Sequence, residues 1–267
     1  MYQGPVIDIH AHIALTAEDA INPRHEVGAA GLAAAVRRDG VVRATAIVIA
    51  RRDETVRTAE RNDAVIAEAD AADGFLVPVV SVHPHDGAAA LTELDRVAAL
   101  GARVVKLHPN TQSFDVADDD VAAVTRRAGE RGMAVLFDAY SPFDANQVGK
   151  FLTLAITAPR TRLVLAHFNG PRFAELLAFE VVARYPWWPG NVYHDLSATA
   201  ELLADGPYAE HLRWVVRKVG TDRVLYGSDW PICDPAAALA AVRSLGFTAE
   251  EERQILHDNA AALLDGR

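Results

Sequence analysis

An apolar run near the start of the chain, Val6-Ile7-Asp8-Ile9-His10-Ala11-His12, ends in two histidines that stand two residues apart. An open parallel sheet that binds nucleotides usually carries a glycine-rich phosphate loop after an early strand. This run contains no glycine, so such a sheet is not indicated. A buried strand with polar side chains at its carboxyl end instead favours a closed barrel, in which functional residues lie at the strand ends.

Further apolar runs follow at intervals of roughly 25 to 40 residues, about the length of one strand-plus-helix unit. With the first, the predicted strands are Val6–His10, Ala44–Ala50, Phe75–Val82, Arg103–His108, Met133–Asp138, Arg162–His167, Val192–Ser197 and Arg223–Asp229. The predicted helices are Asp53–Ala72, Ala88–Leu100, Val116–Arg131, Phe173–Arg184, Pro235–Leu245 and Ala249–Leu264. Gly101 and Gly132 end two of them, and Thr248 with Glu251 forms a capping box for the last. The pattern predicts one domain over residues 1–267, a single (β/α)₈ TIM barrel with a C-terminal helix.

Charge and composition narrow the function classes. With 26 basic and 36 acidic side chains the formal charge is −10, which argues against nucleic acid or an anionic membrane as a partner. The one cysteine, Cys233, cannot form an internal disulfide, which fits a reducing compartment. We find no secretory leader after Met1 and no run of 18 apolar residues. We therefore expect a cytoplasmic protein whose partner is a small molecule.

Polar side chains cluster at the predicted strand ends. They are His10 and His12 on strand 1, Lys106 and His108 on strand 4, Asp138 on strand 5, His167 on strand 6 and Asp229 on strand 8. Alternation along a strand places each pair on one face. Two imidazoles and a carboxylate form a natural chelate for a divalent ion. Any one of them could instead be a hydrogen-bonded histidine or a helix cap, but five strands ending this way at one rim favour a metal site.

Three further residues, Arg51, Asn169 and Trp230, are candidates for substrate binding beside Lys106 and His108. Arg51 follows strand 2, where a guanidinium could bind a substrate carboxylate, although a solvated helix-start charge is equally consistent. Lys106 could anchor the same kind of group or pair with a neighbouring carboxylate. Asn169 follows His167 and could hydrogen-bond a substrate. Trp230 follows Asp229 and could line the pocket, although such an aromatic often only packs.

Several of these segments, in this order along the chain, resemble the amidohydrolase superfamily. They are Val6-Ile7-Asp8-Ile9-His10-Ala11-His12, Gly101-Ala102-Arg103-Val104-Val105-Lys106-Leu107-His108-Pro109, Leu165-Ala166-His167-Phe168-Asn169-Gly170, Tyr226-Gly227-Ser228-Asp229-Trp230-Pro231 and Asn259-Ala260-Ala261-Ala262-Leu263. More narrowly, the chain is similar to the amidohydrolase-related branch that includes aminocarboxymuconate semialdehyde decarboxylase and several lactonases. The resemblance covers nearly the whole chain.

The resemblance implies one divalent metal ion, usually zinc, on His10, His12 and Asp229, with His167 polarising or deprotonating water. Members of the family generally carry a histidine at the end of strand 5, where this chain has Asp138. A carboxylate ligand there gives a site that accepts manganese or iron as well as zinc. Alternatively Asp138 does not reach the ion, and the protein resembles the metal-free lactonases of the branch. Family habit also suggests a homodimer.

These observations predict a metal-dependent hydrolase of a small carboxylated amide, lactone or ester, in which Asp229 shuttles a proton and His167 activates water. Non-oxidative decarboxylation or hydration of an unsaturated acid on the same scaffold is the first alternative, and a metal-free lactonase is the second. A binding barrel without turnover is a third. It is disfavoured because an unpaired buried carboxylate such as Asp229 would be costly.

Overall fold

Strand pairing sets the architecture of the protein. The computed structural model describes residues 1–38 and 40–266. Its eight strands form one sheet, all parallel, in the order β1 to β8. They are β1 (Val6–Asp8), β2 (Val41–Ile47), β3 (Leu76–Ser81), β4 (Val104–Leu107), β5 (Ala134–Phe137), β6 (Leu163–Leu165), β7 (Val192–Asp195) and β8 (Val224–Leu225). Strand number, direction and order are those of the predicted barrel type.

Helices connect consecutive strands. The α-helices are α1 (Gly28–Val36), α2 (Thr55–Asp70), α3 (Ala88–Ala99), α4 (Pro109–Gln112), α5 (Asp119–Glu130), α6 (Gln147–Thr157), α7 (Leu177–Val182), α8 (Thr199–Leu203), α9 (Ala209–Val219), α10 (Pro235–Ser244), α11 (Ala249–Arg253) and α12 (Asn259–Leu264). A π-helical turn at Gln254–Asp258 joins α11 to α12, which makes the predicted C-terminal helix nearly continuous. Short 3₁₀ segments are Ala17–Asp19, Pro84–Asp86 and Thr221–Arg223. The longer segment Ala166–Leu176 has 3₁₀ turns that are interrupted by left-handed residues from 167 to 170. No helix of the described chain is both long enough and apolar enough to cross a bilayer.

Local sequence explains several helix ends. Asp234 caps α10 by accepting hydrogen bonds from the N–H groups of Ala236 and Ala237. Thr248 and Glu251 form the predicted capping box at the start of α11. The glycine after α5, Gly132, has φ +72°, a backbone conformation that other residues adopt only at a cost.

Apolar side chains form two layers on either side of the sheet. The inner cluster includes Ile9, Val79 and Leu136, and it is extended by Leu263 of α12. The outer cluster packs the other faces of the strands against the helices. Because both faces are covered, the strands are apolar almost throughout, as parallel strands must be.

The observed strands end earlier than predicted. Strand β6 ends at Leu165 and β8 at Leu225, whereas the sequence predicted strands to His167 and Asp229. His167 has φ +64° and Asp229 has φ +61°. A left-handed residue cannot continue a strand, so the functional side chains lie on the turns just beyond the sheet. The predicted helix Phe173–Arg184 is also shorter, because the chain is 3₁₀ up to Leu176 and α-helical only over α7.

Hydrogen bonds also link the residues beyond β1 to those beyond β8. The Ile9 N–H donates to the Tyr226 carbonyl at 3.0 Å, and the His12 N–H donates to the Trp230 carbonyl at 2.8 Å. The Asp229 N–H donates to the His10 carbonyl at 2.7 Å. These contacts join the segment after β1, which carries the two histidines, to the segment after β8.

A buried histidine gives the fold a defined acid sensitivity. His194 in β7 is 1% exposed, and its ring lies edge-on to those of Phe168 and Phe179. Its Nδ1 has no hydrogen-bond partner among the described residues. Burial lowers the pKa of His194 to about 3. The folded protein therefore keeps this imidazole neutral at pH values where an unfolded chain would bind a proton.

We predict that His194→Leu makes the free energy of unfolding less dependent on pH. Between about pH 6.5, where an exposed histidine titrates, and about 3, the unfolded state binds one more proton at this position. Stability is therefore full above pH 6.5 and falls by up to about 1.4 kcal/mol per pH unit as the pH drops. Urea unfolding from pH 7 to 5 measures the slope. His211→Gln, at an exposed position of α9, is the control, and equal slopes for wild type and His194→Leu contradict the prediction.

Candidate metal centre

The polar residues predicted from the sequence gather at the carboxyl edge of the sheet. Lys106 lies in β4, and His108 and Asp138 directly follow β4 and β5. His167 follows β6 by two residues, and Asp229 follows β8 by four. Because all strands run in one direction, these ends meet at one edge, close to His10 and His12 beyond β1.

Three of these side chains form a group that could hold a metal ion. One ligand atom from each of His10, His12 and Asp229 lies within 4.8 Å of the other two. Nε2 of His10 is 3.5 Å from Oδ1 of Asp229, and Nε2 of His12 is 3.7 Å from the same oxygen. All three residues are buried. Two imidazoles and a carboxylate around one point are a usual donor set for Zn²⁺.

The histidines of this group are kept in the neutral form that a metal ligand needs. Burial lowers the pKa of His12 to about 4, although the nearby Asp229 carboxylate acts in the opposite direction. Burial and the charge of Lys106 also lower the pKa of His10. Burial raises the pKa of Asp229, but its interactions with the nearby His12 and His10 outweigh this, so the carboxyl stays ionised.

The ring of His10 is held from both sides. Its Nδ1 is 3.0 Å from Oδ2 of Asp195, the last residue of β7, and 3.1 Å from Oγ of Ser197. Its Nε2 is 3.1 Å from Nζ of Lys106, which is 1% exposed. Burial lowers the pKa of Lys106, and Asp138 and Asp229 oppose that shift. Asp195 and Ser197 were not predicted as site residues, although the predicted strand Val192–Ser197 ends in this Asp-Leu-Ser segment just as strand 5 ends in an aspartate.

Asp138 lies between two other histidines. Its Oδ2 is 3.2 Å from Nε2 of His108 and 3.2 Å from Nε2 of His167. Its Oδ1 is buried and has no hydrogen-bond partner among the described residues. Burial would lower the pKa of His167, but the hydrogen bond to Asp138 and the charge of Asp229 raise it to about 9. Burial instead lowers the pKa of His108 to about 4. Asp138 is not part of the group formed by His10, His12 and Asp229.

The turn after β6 holds an unusual backbone. His167, Phe168 and Asn169 have φ values of +64°, +41° and +57° in succession. Such conformations cost of order 1–3 kcal/mol each in residues with side chains, and they are typical of functional sites. The His167 N–H donates to Oδ1 of Asp195 at 3.1 Å, and the hydroxyl of Thr199 donates to the His167 carbonyl. These hydrogen bonds stabilise the turn that presents the His167 imidazole to the site.

The predicted substrate-binding residues separate into two sets. A cavity of about 290 Å³ beside His12 has apolar lining residues such as Ile13, Leu15 and Ile47. Its polar and charged lining residues include Thr111, the cationic Arg51 and Arg61, and the acidic Glu18 and Asp19. Of the predicted substrate-binding residues, Arg51 is the one that lines this cavity within the described chain, and its side chain is exposed.

Asn169 and Trp230 make contacts away from that cavity. Nδ2 of Asn169 donates to the carbonyl of Arg172 at 2.8 Å and to Glu175 at 3.2 Å, within its own loop. Trp230 is 6% exposed, and the Arg24 guanidinium lies 5.4 Å from its ring centre. In this structure both side chains therefore serve the packing of the loops after β6 and β8.

Comparison with known families assigns the chain. The model of the amidohydrolase family matches residues 7–266. The chain belongs to the amidohydrolase family. It is thus an enzyme of this superfamily, as the sequence resemblance predicted. No curated protein is significantly similar in sequence to this amidohydrolase.

Solved structures share the fold of this amidohydrolase over its whole length. It is similar to 5-carboxyvanillate decarboxylase from Sphingomonas paucimobilis, with a TM-score of 0.73 and 15% identity over 98% of this chain and 99% of the other. It is also similar to a candidate 2-pyrone-4,6-dicarboxylic acid hydrolase from Pseudomonas putida, with a TM-score of 0.70 and 21% identity over 100% of this chain and 99% of the other. For a 2,6-dihydroxybenzoate decarboxylase from Rhizobium the TM-score is 0.74 and the identity 14%, over 98% of this chain and 99% of the other. At these identities the likeness shows a common TIM-barrel fold.

We predict that Gly227→Ala weakens metal binding by about tenfold or more, because ligand geometry controls affinity. A Cβ at Gly227 would lie 2.6 Å from Cβ of His10, which is anchored to the backbone and cannot turn away. His10 or the segment before Asp229 must then shift. Zinc titration against a chromophoric chelator measures the effect.

Gly149→Ala is the matched control for this substitution. Gly149 lies inside α6, and a Cβ there meets no atom within 4 Å. The control should bind metal like the wild type and gain up to about 1 kcal/mol of stability from helix propensity. Equal zinc affinities for Gly227→Ala and Gly149→Ala would show that His10 is not constrained by the segment after β8.

Proposed function

We propose that this amidohydrolase is a metal-dependent hydrolase of a small carboxylated amide, lactone or ester. The convergence of His10 Nε2, His12 Nε2 and Asp229 Oδ1 on one buried point carries the proposal. Ligands of a tetrahedral ion bound at about 2.0–2.1 Å lie roughly 3.4 Å apart. The observed separations from Asp229 Oδ1, 3.5 and 3.7 Å, fit an ion of this size. We propose zinc, with manganese or iron as alternatives.

The side chains supply the proton transfers. When bound, the ion provides a Lewis acid that polarises a substrate carbonyl and favours ionisation of water. The carboxylate of Asp229 accepts the proton of the attacking water and passes it to the leaving oxygen or nitrogen as the carbonyl bond breaks. With its pKa raised to about 9, His167 is protonated at neutral pH, which supports a role in stabilising the developing oxyanion.

Cationic and polar groups at the rim favour a substrate with a carboxylate. Arg51 is exposed on the cavity beside His12, and no ion pair involving it is found in the described chain. We propose that Arg51 binds the substrate carboxylate and that Lys106 and His108 contact the reacting end. Asn169 and Trp230 remain proposed substrate contacts that would require their loops to rearrange. Apolar residues such as Ile13 and Ile47 suit the body of a small ring.

Asp138 is the proposed fourth ligand. Its buried Oδ1 has no hydrogen-bond partner among the described residues, which leaves one oxygen for a cation while Oδ2 contacts His108 and His167. A carboxylate at this position gives a more oxygen-rich donor set than a third imidazole, which is why manganese and iron stay in the proposal.

A metal-free lactonase is the alternative that one contact favours. Nζ of Lys106 lies 3.1 Å from Nε2 of His10, so an ammonium can occupy the place where a cation would be. Lys106 could then provide the positive charge that stabilises an oxyanion. Decarboxylation is a further alternative on the same residues, because a buried lysine also suits a carboxylate that is about to leave. The decarboxylases of the same fold make this lyase reaction worth testing.

Three structural proposals accompany the activity. We propose that the sheet closes into a full barrel, which the hydrogen bonds from Ile9 to Tyr226 and from His12 to Trp230 support. The chain would form one domain over 1–267, with the C-terminal helix packed on the inner apolar cluster. We further propose a cytoplasmic homodimer that acts on small molecules.

We predict that the purified protein holds about one equivalent of zinc or manganese per chain. His10→Ala and His12→Ala should each lose it, because a single imidazole with the carboxylates of Asp229 and Asp138 leaves a weak site. Elemental analysis after gel filtration measures the content. His211→Ala, at an exposed position of α9, is the control. A wild type without metal that hydrolyses lactones only while Lys106 is intact supports the metal-free alternative and contradicts the main proposal.

The reaction class follows from a substrate screen. We expect hydrolysis of carboxylated lactones or amides, and Arg51→Gln should raise KM by about tenfold or more through the loss of a charged hydrogen bond. Carbon dioxide release from hydroxybenzoates, with no hydrolysis, would assign the protein to the decarboxylases instead.

Asp138→Ala tests the fourth ligand. We expect metal content to fall and the preference to shift from manganese toward zinc, because an oxygen donor is lost. The measurement is competition between the two ions for the protein. Unchanged metal content in Asp138→Ala means that Asp138 does not bind the ion.

A further inference from the structure

One buried carboxylate connects two of the site histidines from below. Asp195 is 0% exposed at the end of β7. Its Oδ2 lies 3.0 Å from Nδ1 of His10. Its Oδ1 accepts the N–H groups of His167 at 3.1 Å and of Ser197 at 3.0 Å, and also the Ser197 hydroxyl. Both oxygens therefore have assigned partners, and these partners belong to three different positions of the candidate site.

We propose that Asp195 is a positioning residue that fixes His10 in the tautomer with its proton on Nδ1, which leaves the Nε2 lone pair for the metal ion. The inference rests on the proposed function in one respect only, that the group on Nε2 is a metal ion. The tautomer itself is a property of the protein without the ion, so it can be tested separately.

The neighbours of the ring determine this tautomer. A carboxylate can only accept a hydrogen bond, so the Asp195 contact requires a proton on Nδ1 of His10. On the other side of the ring, the ammonium of Lys106 can only donate, so its contact at 3.1 Å requires a lone pair on Nε2. The two contacts agree. Metal-binding histidines in proteins commonly have such a carboxylate behind them, and it fixes the ring orientation and raises ligand basicity.

Asp195 also positions His167 through the backbone. The His167 N–H that Oδ1 accepts belongs to the left-handed turn after β6. Ser197 Oγ lies 3.0 Å from Nδ1 of His167 and 3.1 Å from Nδ1 of His10. Since the hydroxyl proton of Ser197 is directed to Asp195, its oxygen is available to accept from both rings. One carboxylate and one hydroxyl thus set the relative placement of the two imidazoles, whose centres are 5.1 Å apart.

The substitution Asp195→Asn keeps the shape of the side chain but changes the group that faces Nδ1 of His10, so it tests the His10 tautomer alone. Two backbone N–H groups and a hydroxyl donate to Oδ1, so the amide oxygen of the variant must occupy that place. The amide NH₂ then lies where Oδ2 was, 3.0 Å from Nδ1 of His10, and it can only donate. A neutral His10 that accepts from this amide carries its proton on Nε2, which removes the lone pair that a metal ion needs and requires the Lys106 ammonium to turn away from the ring.

The experiment measures two quantities on wild type and Asp195→Asn. Nitrogen-15 NMR of the metal-free protein at pH 8, with His10 assigned through His10→Gln, should show the proton on Nδ1 in the wild type and on Nε2 in the variant. Zinc affinity, from chelator competition, should fall by about 10- to 100-fold in the variant. Circular dichroism checks the fold.

Asp8→Asn is the matched control. Asp8 is also 0% exposed, and its Oδ1 accepts the N–H groups of His10 and Ser228 at 3.1 and 2.9 Å. Within the described part of the chain its Oδ2 has no hydrogen-bond partner, so the same change from carboxylate to amide places no donor against an imidazole. This variant should keep the wild-type tautomer of His10 and the wild-type zinc affinity.

Each outcome decides the proposal. A wild-type His10 with its proton on Nε2 overturns it, even if Asp195→Asn does not fold. An Asp195→Asn protein with an unchanged tautomer and unchanged zinc affinity overturns it as well. If the tautomer switches as expected but the wild type binds no zinc or manganese, the positioning role of Asp195 is supported and the proposed metal-dependent function fails.

Discussion

The common direction of the strands is the constraint on which the site depends. Parallel strands deliver their carboxyl ends to one edge, so residues from opposite ends of the chain meet there. For this reason Nε2 of His10 lies 3.5 Å from Oδ1 of Asp229, although the two residues are far apart in the sequence. The sheet also supplies rigidity, because the strands below the site are buried on both faces. A site built on such strand ends has its geometry set before any ligand arrives.

The site also depends on positive or hydrogen-bonding groups that compensate its buried carboxylates. Asp138, Asp195 and Asp229 are buried together, and a carboxylate removed from water is costly unless partners replace the lost hydration. Each has at least one imidazole within 3.7 Å, and the ammonium of Lys106 lies among them. The histidines are thus candidate ligands and also the groups that make these carboxylates tolerable, which couples the stability of the barrel to the integrity of the site.

The eight strands could be predicted from the sequence because buried parallel strands are short continuous apolar runs, which stand out from the longer, mixed segments of the helices. The candidate ligands His10, His12 and Asp229 could be predicted for a similar reason, since polar side chains at strand ends stand out. Helix α1 could not, because its alanine-rich segment shows no distinct apolar face. The contacts of Asp195 depend on which strands become neighbours and on where side chains point, and neither can be read from a single sequence.

The three consecutive left-handed residues after β6 have an evolutionary consequence. Glycine would adopt those φ angles without penalty, so random drift under selection for folding alone should replace His167, Phe168 or Asn169 with glycine. If related proteins keep side chains at all three positions, the turn has been selected for its function and not only for folding. In relatives that have lost catalytic activity, we would expect glycine to appear at these three positions before other parts of the site change.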